Sequence, residues 1–194
     1  NTGSCKRRLT VTGYVSWVLG VSRENGASSV GTEWDGRALY ARNAFQETFR
    51  DETAFLAIAA DDGETGPAVC TADRREFVGR GGSLAEPAAM KRRSLSGAAG
   101  RFADGCGAVQ LAIELEPGAE RTVCILLGCG RNGEEARGLV SAYADVGRCA
   151  EAFAEAAGFW KETLGQLRVE TPDPAMDMLL NGWLLYQTLS CRMW

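Results

Sequence analysis

Residues 109–127 read VQLAIELEPGAERTVCILL, and the order of apolar and polar side chains in this stretch decides the fold class. Val109, Leu111, Ile113 and Leu115 alternate with Gln110, Ala112 and Glu114; Pro117-Gly118 supplies a turn, and Val123, Ile125 and Leu127 resume the alternation. A period of two marks an extended strand with one buried face, and a Pro-Gly pair between two such runs predicts a β-hairpin. The same period appears towards the N-terminus, where Leu9, Val11, Gly13, Val15, Trp17, Leu19 and Val21 share one side of a predicted strand. Thr10, Thr12, Tyr14 and Ser16 take the other side. Asp51 to Ala60 predicts a further strand, with Gly66 to Ala72 returning as its partner across Asp61-Asp62-Gly63.

Beyond Gly130 the period becomes helical. Asn132 stands as a cap with Glu135 three residues on, and Ala136, Leu139, Val140 and Tyr143 follow at helical spacing. A second helix from about Gly147 to Gly165 sets Cys149, Phe153, Ala156, Ala157, Trp160 and Leu164 on one side. Thr171-Pro172-Asp173-Pro174 opens a third, with Asp173 as cap and Pro174 at the first helical position, where its missing N–H costs nothing. From Met176 to Trp194 this helix is apolar on most faces, so it needs neighbours to bury it. The organisation read from these periods is a β-sandwich over 1–130, a helical linker over 131–171 and the first helix of an α domain over 172–194. The chain starts without Met and stops inside an apolar helix, which predicts a fragment of a longer protein. It also predicts self-association through Met178, Leu179, Trp183 and Leu185.

Composition narrows the chemistry. Of 194 residues 45% are apolar and 24% charged, the profile of a globular domain rather than a disordered one. The 21 basic and 25 acidic residues are interspersed and leave a net charge of −4, which speaks against nucleic acid or an anionic membrane as partner. There is no His, so Ser-His-Asp and Cys-His schemes cannot be assembled from this chain alone. The seven Cys never form C-x-x-C and are expected to be buried small apolar residues in a reducing compartment. Neither a signal peptide nor a membrane span is read from the sequence, and a cytoplasmic location is expected.

Asp73-Arg74-Arg75-Glu76-Phe77, followed by Gly79-Arg80-Gly81-Gly82, is the stretch best suited to binding. Forked guanidiniums and carboxylates make bidentate contacts to sugar hydroxyls or phosphate, and glycines let backbone approach closely. Alternating charges that pair with one another on a surface loop give the same pattern. The glycines are not a phosphate-binding P-loop, because no G-K-[ST] follows them. Aromatic faces stack on pyranose rings, but Trp17 and Trp160 fall in phase with apolar stripes and are expected in the core. Trp34, between Glu33 and Asp35, stays open to either role. Glu33 and Asp35 share one side of a strand and form either a carboxylate pair with a raised pKa or a solvated edge. Lys91-Arg92-Arg93 reads as a solvated basic run, and Arg192 and Trp194 as packing or the border of a downstream site.

Several blocks together resemble the glycoside phosphorylases of glycoside hydrolase family 94, formerly glycosyltransferase family 36. They are RRLTVTGYVSWVLGVSRE (7–24), TEWD (32–35), ALYARNAF (38–45), TADRREFVGRGGSLAEPAA (71–89), LEPGAERTVCILLGCG (115–130) and TPDPAMDMLLNGWLLYQTLSCRMW (171–194). The likeness covers nearly the whole chain in order and is strongest to the phosphorylase-like C-terminal region of cyclic β-1,2-glucan synthases. It implies a mainly β fold, a galactose-mutarotase-like β-supersandwich followed by linker helices and the first helix of an (α/α)6 barrel. In the family a general-acid Asp protonates the glycosidic oxygen while phosphate attacks the anomeric carbon with inversion. Those residues lie in barrel loops beyond the position of Trp194, so the resemblance assigns no catalytic residue to this chain. It implies no cofactor, with inorganic phosphate or a sugar 1-phosphate as co-substrate of the parent enzyme. It implies sugar contact by Arg74, Arg75 or Glu76, because the corresponding loop of the family lies near the dimer partner's active-site entrance; Trp34 is the further substrate-binding candidate, from its aromatic face. The implied partners are a β-glucan or oligosaccharide, the remainder of the parent chain and a second copy, with any membrane attachment through other regions of the parent.

Two functions follow. One is the non-catalytic sandwich of a carbohydrate-active transferase or phosphorylase, supporting the barrel and dimer and bordering the sugar site. The alternative is an independent carbohydrate-binding or purely structural β-sandwich.

Overall fold

The computed structural model describes residues 1–45, 47–61 and 66–193. The alternating runs form seven strands among the described residues: β1 (Arg7–Val15), β2 (Val30–Trp34), β3 (Ala38–Asn43), β4 (Thr53–Ala60), β5 (Val69–Asp73), β6 (Gly105–Leu115) and β7 (Val123–Gly130). The α-helical segments are α1 (Arg23–Gly26), α2 (Arg74–Val78), α3 (Gly133–Ala142), α4 (Val146–Gly165), α5 (Pro174–Met178) and α6 (Leu184–Met193). All strand pairs are antiparallel, in two sheets of order β1-β6-β5 and β2-β3-β4-β7.

The stretch that announces the β fold is not a hairpin. β6 pairs with β1 from Arg7↔Leu115 to Val15↔Gly107, and with β5 on its other side. β7 pairs with β4 from Thr53↔Gly130 to Ala60↔Val123. Pro117-Gly118 therefore carries the chain from one sheet to the other, through a tight turn in which Ala119 N–H donates to the Glu116 carbonyl at 3.0 Å. The second expected hairpin is corrected in the same way, since β4 and β5 lie in different sheets; most of its expected turn, Asp61-Asp62-Gly63, is outside the described residues. Alternation specifies which face of a strand is buried and leaves its partner open, and two packed sheets satisfy the same alternation as a hairpin.

Val109, Leu111, Ile113 and Leu115 of β6 face inward and meet Leu39, Leu56 and Ile58 of the other sheet, with Trp17 buried among them as expected. The outer faces are covered too. Cys106 and Ala108 on the outside of β6 lie under Phe77 and Val78 of α2, Ala89 and Leu95. Ala38, Tyr40, Phe55 and Ala57, on the outside of the second sheet, lie under Ala136 and Val140 of α3. The N-terminus of α3 follows the sequence: Asn132 accepts the Glu135 N–H at 2.9 Å. The Glu135 carboxylate reaches back to the Arg131 N–H at 2.6 Å rather than to the cap residue itself.

Other expectations are corrected at the margins. β1 stops at Val15, its last register partner being Gly107, and Val18 and Val21 lie exposed in the segment that follows. β7 is an edge strand facing a sheet of only three strands, so Ile125 and Leu127 overhang the core and Leu127 is 62% exposed. All seven thiols are free, but only Cys70 and Cys106 are buried; Cys5, Cys129 and Cys191 are exposed. Burial pushes the Cys70 and Cys106 thiols up to about 11 and about 12, which leaves them protonated and inert near neutral pH.

The residues from Ala150 form a second compact unit. Along α4, Phe153, Phe159 and Trp160 are exposed, Trp160 at 41%, which corrects its expected place in a core. Asp173 caps α5 as read, accepting the Ala175 N–H at 2.9 Å. The helix then widens to π geometry over Leu179–Trp183 before α6. There the Asn181 side-chain amide exchanges two hydrogen bonds with the Val169 backbone, at 2.8 and 2.7 Å, tying the preceding segment to the helix. Trp194 lies outside the described residues.

Gly107 marks a tight point of the core: a Cβ there would stand 2.6 Å from the Trp17 ring and 2.8 Å from Val15. Gly107→Ala is expected to destabilise the sandwich by about 1–3 kcal/mol through overpacking. Urea unfolding followed by Trp fluorescence measures this, and an unshifted midpoint would contradict the packing described.

Candidate functional site

Asp73 leaves β5 in extended conformation and starts α2 by accepting the Arg75 N–H at 2.8 Å. Phe77 stacks on Tyr14 with ring centroids 4.7 Å apart, which holds the short helix against β1. Arg74 then meets Asp104 at 3.3 Å, and the other oxygen of Asp104 accepts from Arg23. Glu76 accepts from the buried Thr71 hydroxyl and from Ser96 Oγ at 2.6 Å, while its second oxygen faces Arg92 Nη1 at 3.0 Å. Arg92, read as part of a solvated run, thus has a defined partner, and it also donates to the Glu76 carbonyl at 2.6 Å. The glycines serve geometry: Gly79 and Gly81 have φ of 92° and 68°, and a Cβ on Gly82 would lie 2.2 Å from the Val78 carbonyl oxygen.

Arg74 and Glu76 are therefore engaged in ion pairs and hydrogen bonds that pin α2 and the 92–104 segment. Arg75 and Arg80 are exposed and have no side-chain partner among the described residues. Trp34 ends β2 opposite Leu39 and packs on the margin of the inner core, half-buried. Since α2 covers the outer face of the three-stranded sheet, Trp34 is not brought together with Arg74, Arg75 and Glu76.

Glu33 and Asp35 do not form a shared-proton pair. Glu33 binds Arg137 Nη2 at 3.0 Å. Asp35 accepts the N–H groups of Arg37 and Ala38, both at 2.8 Å, and the Tyr40 hydroxyl at 2.9 Å. Partial burial pushes its carboxyl up, but these hydrogen bonds outweigh it and hold the pKa below the ordinary value, opposite to the raised pKa considered from sequence. The same environment raises Tyr40, through burial first and the Asp35 bond second, to about 12.

A second polar region was not read from the sequence. On the outer face of the four-stranded sheet, beside the part covered by α3, lies a cleft of about 490 Å³ lined by Gly31, Glu33, Arg42, Thr53, Arg101 and Arg137 among others. Its guanidiniums come from β3, the segment before β6 and α3, so spacing gave no signal. Among the described residues no group of three or more His, Cys, Asp or Glu is placed to hold a metal ion. No helix among them is long and apolar enough to cross a membrane.

The family profile "Glycosyl hydrolase 94, supersandwich domain" matches residues 1–146, which include both sheets and α3. The chain belongs to glycosyl hydrolase family 94. A second profile, "Glycosyl hydrolase 94 superfamily, catalytic domain", matches 159–194, so the family's two-part order is kept. The chain is 39% identical over 99% of its length to cyclic beta-(1,2)-glucan synthase NdvB of Rhizobium meliloti (strain 1021), covering 7% of that protein. It is 31% identical over 95% of its length to cellobionic acid phosphorylase of Neurospora crassa, covering 23% of it. It is 27% identical over its whole length to N,N'-diacetylchitobiose phosphorylase of Vibrio furnissii, covering 24%. The chain thus spans less than a quarter of the length of each of these family 94 relatives.

Three substitutions test the geometry. Glu76→Ala leaves the buried Thr71 hydroxyl without its acceptor and removes the ion pair to Arg92, and is expected to cost about 1–3 kcal/mol in urea unfolding, whereas Arg75→Ala is expected to be near neutral. Because folding holds Asp35 below its ordinary 3.8, its ionised form adds stability that is complete above that value and lost as the pH falls towards the lower folded pKa. The stability difference between wild type and Asp35→Asn is therefore expected to shrink below about pH 4, measured as unfolding midpoints across an acid series.

Proposed function

We propose that this chain is the non-catalytic supersandwich, linker and first barrel helix of a family 94 sugar-transferring enzyme that acts on a β-glucan, with β-1,2-glucan the substrate favoured by its relatives. The observation that carries this reading is the unbroken order of the two family profiles, a sandwich over 1–146 followed by catalytic-domain sequence from 159. The match to cyclic beta-(1,2)-glucan synthase over 99% of the chain supports the substrate. Activity by inverting phosphorolysis or glucosyl transfer then belongs to the parent enzyme, with phosphate or a sugar 1-phosphate as co-substrate and a cytoplasmic site of action.

In this reading the sandwich supports the barrel and the dimer. The charged pairs around α2 hold the Gly79–Gly82 loop in place, and Arg75, exposed on the helix, is the side chain left to touch sugar at the rim. Arg74 and Glu76 position that rim, and Trp34 packs behind the sheet. The apolar side chains exposed on α4, α5, the π-helical turn and α6, among them Phe153, Met178, Trp183 and Tyr186, are what a barrel would cover.

The reading is tested by titrating the chain with β-1,2, β-1,3 and β-1,4 gluco-oligosaccharides under Trp fluorescence, beside Arg75→Ala. Saturable binding to the β-1,2 series, weakened by the substitution, is expected; binding to another linkage alone would overturn the substrate assignment. On size exclusion the chain is expected to self-associate through Met178, Leu179, Trp183 and Leu185. A dilute monomer would instead favour an independent sandwich module.

A further inference from the structure

The cleft on the outer face of the four-stranded sheet gathers arginines from three separate parts of the sandwich. Gly31 of β2 lies opposite Arg42 of β3 and, through an isolated antiparallel bridge on its other side, opposite Arg101. Directly opposed residues project to the same face, so Arg42, Gly31 and Arg101 form one row across β3, β2 and the bridged segment beside it, about 10 Å from end to end at ordinary strand spacing. Gly31 contributes no side chain, and Arg101 leans over it, its Nε 3.5 Å from where a Cβ would be. Both guanidiniums are exposed, and neither has an ion pair or a side-chain hydrogen bond with a described residue.

Arg137 joins them from α3. It stacks over the Tyr40 ring at 5.1 Å from its centroid, donates to Glu33 at 3.0 Å, and donates to the Gly133 carbonyl at 3.3 Å. A guanidinium has five N–H donors in a fixed fork; these two bonds orient the group and leave three donors unused. The cleft thus brings together three guanidiniums and one carboxylate, already spent on Arg137, in a chain of net charge −4. Positive charge gathered in a concavity against an acidic background focuses anions there.

From this arrangement we infer that the cleft of Arg42, Arg101 and Arg137 is an oxyanion-binding site, taking a phosphate or carboxylate group, borne on a small saccharide or free as inorganic phosphate. The forked donors match both groups bidentately. A cleft of about 490 Å³ has room for a sugar beside the anion. The site lies on the opposite sheet from α2 and is separate from the rim proposed above; its test is independent of that reading.

The test is calorimetric and ¹H–¹⁵N shift titration of the whole chain with inorganic phosphate, glucose 1-phosphate, glucuronate and glucose, at low and high chloride. Arg42→Gln, Arg101→Gln and their double variant are compared with Arg93→Gln, an exposed arginine outside the cleft. Saturable anion binding is expected, with shifts at residues 31, 42 and 101. The double variant is expected to lose at least about tenfold in affinity with its remaining spectrum unchanged, Arg93→Gln to retain it, and high salt to weaken it. Binding of the phosphate-bearing probes alone assigns the group as phosphate, and binding of glucuronate as well assigns oxyanions generally; both support the site. Glucose binding as tightly as glucose 1-phosphate, equal losses in Arg93→Gln and the double variant, or no saturable anion binding would each overturn it.

Discussion

Both sheets of the sandwich are covered on the inner face and over part of the outer face, and this constraint organises the rest. A strand with only an inner core alternates cleanly between apolar and polar; a strand with a second core outside cannot. β4 reads TAFLAIAA and is buried along nearly its whole length because Leu56 and Ile58 face the other sheet while Phe55 and Ala57 face α3. Close approach of these layers demands small residues at the contacts. Gly128 sits where a Cβ would reach 2.5 Å from the Phe55 ring, and Gly130 where it would strike the backbone of Ala136. The glycines of β6 and β7 are thus a consequence of two-sided packing rather than of turns.

The sequence revealed strands well and their partners badly. Inward-facing Val109, Leu111 and Ile113 were readable because burial imposes period two wherever the strand goes. The pairing of β6 with β1 joins residues about a hundred positions apart, Arg7 with Leu115, and no local pattern encodes such a contact. Pro117-Gly118 has the same turn chemistry whether the chain folds back on its own sheet or crosses to the other. Caps were readable for the opposite reason: Asn132 and Asp173 act within three residues of themselves.

The charged residues divide along the same line. Arg74 and Glu76 look in sequence like ligands for sugar because their chemistry suits it, yet their partners Asp104, Thr71, Ser96 and Arg92 are brought in by the β5–β6 pairing and the segment between. A side chain cannot hold a substrate with donors it has already committed elsewhere, so positioning of α2 is what these two residues do in this structure. Arg75, on the same short helix, projects away from those pairs and stays available. One turn of helix thus separates residues that build the loop from one able to act outside it.

On the opposite sheet the same accounting runs the other way. Arg42 and Arg101 flank a glycine, and their like charges repel across it, weakly at this spacing and exposure. Tyr40 and Glu33 steady Arg137 beside them, the aromatic ring from below and the carboxylate from the side. Arg42 is held by strand pairing, Arg137 on α3 and Arg101 by its bridge to Gly31, so the backbones are in place and the exposed Arg42 and Arg101 side chains are what a ligand would order. Like charges gathered in one cleft raise the free energy of the empty protein modestly, because solvent and salt screen them. An oxyanion that relieves the repulsion gains that increment in addition to its own hydrogen bonds, which is the physical sense in which the cleft is prepared for a ligand.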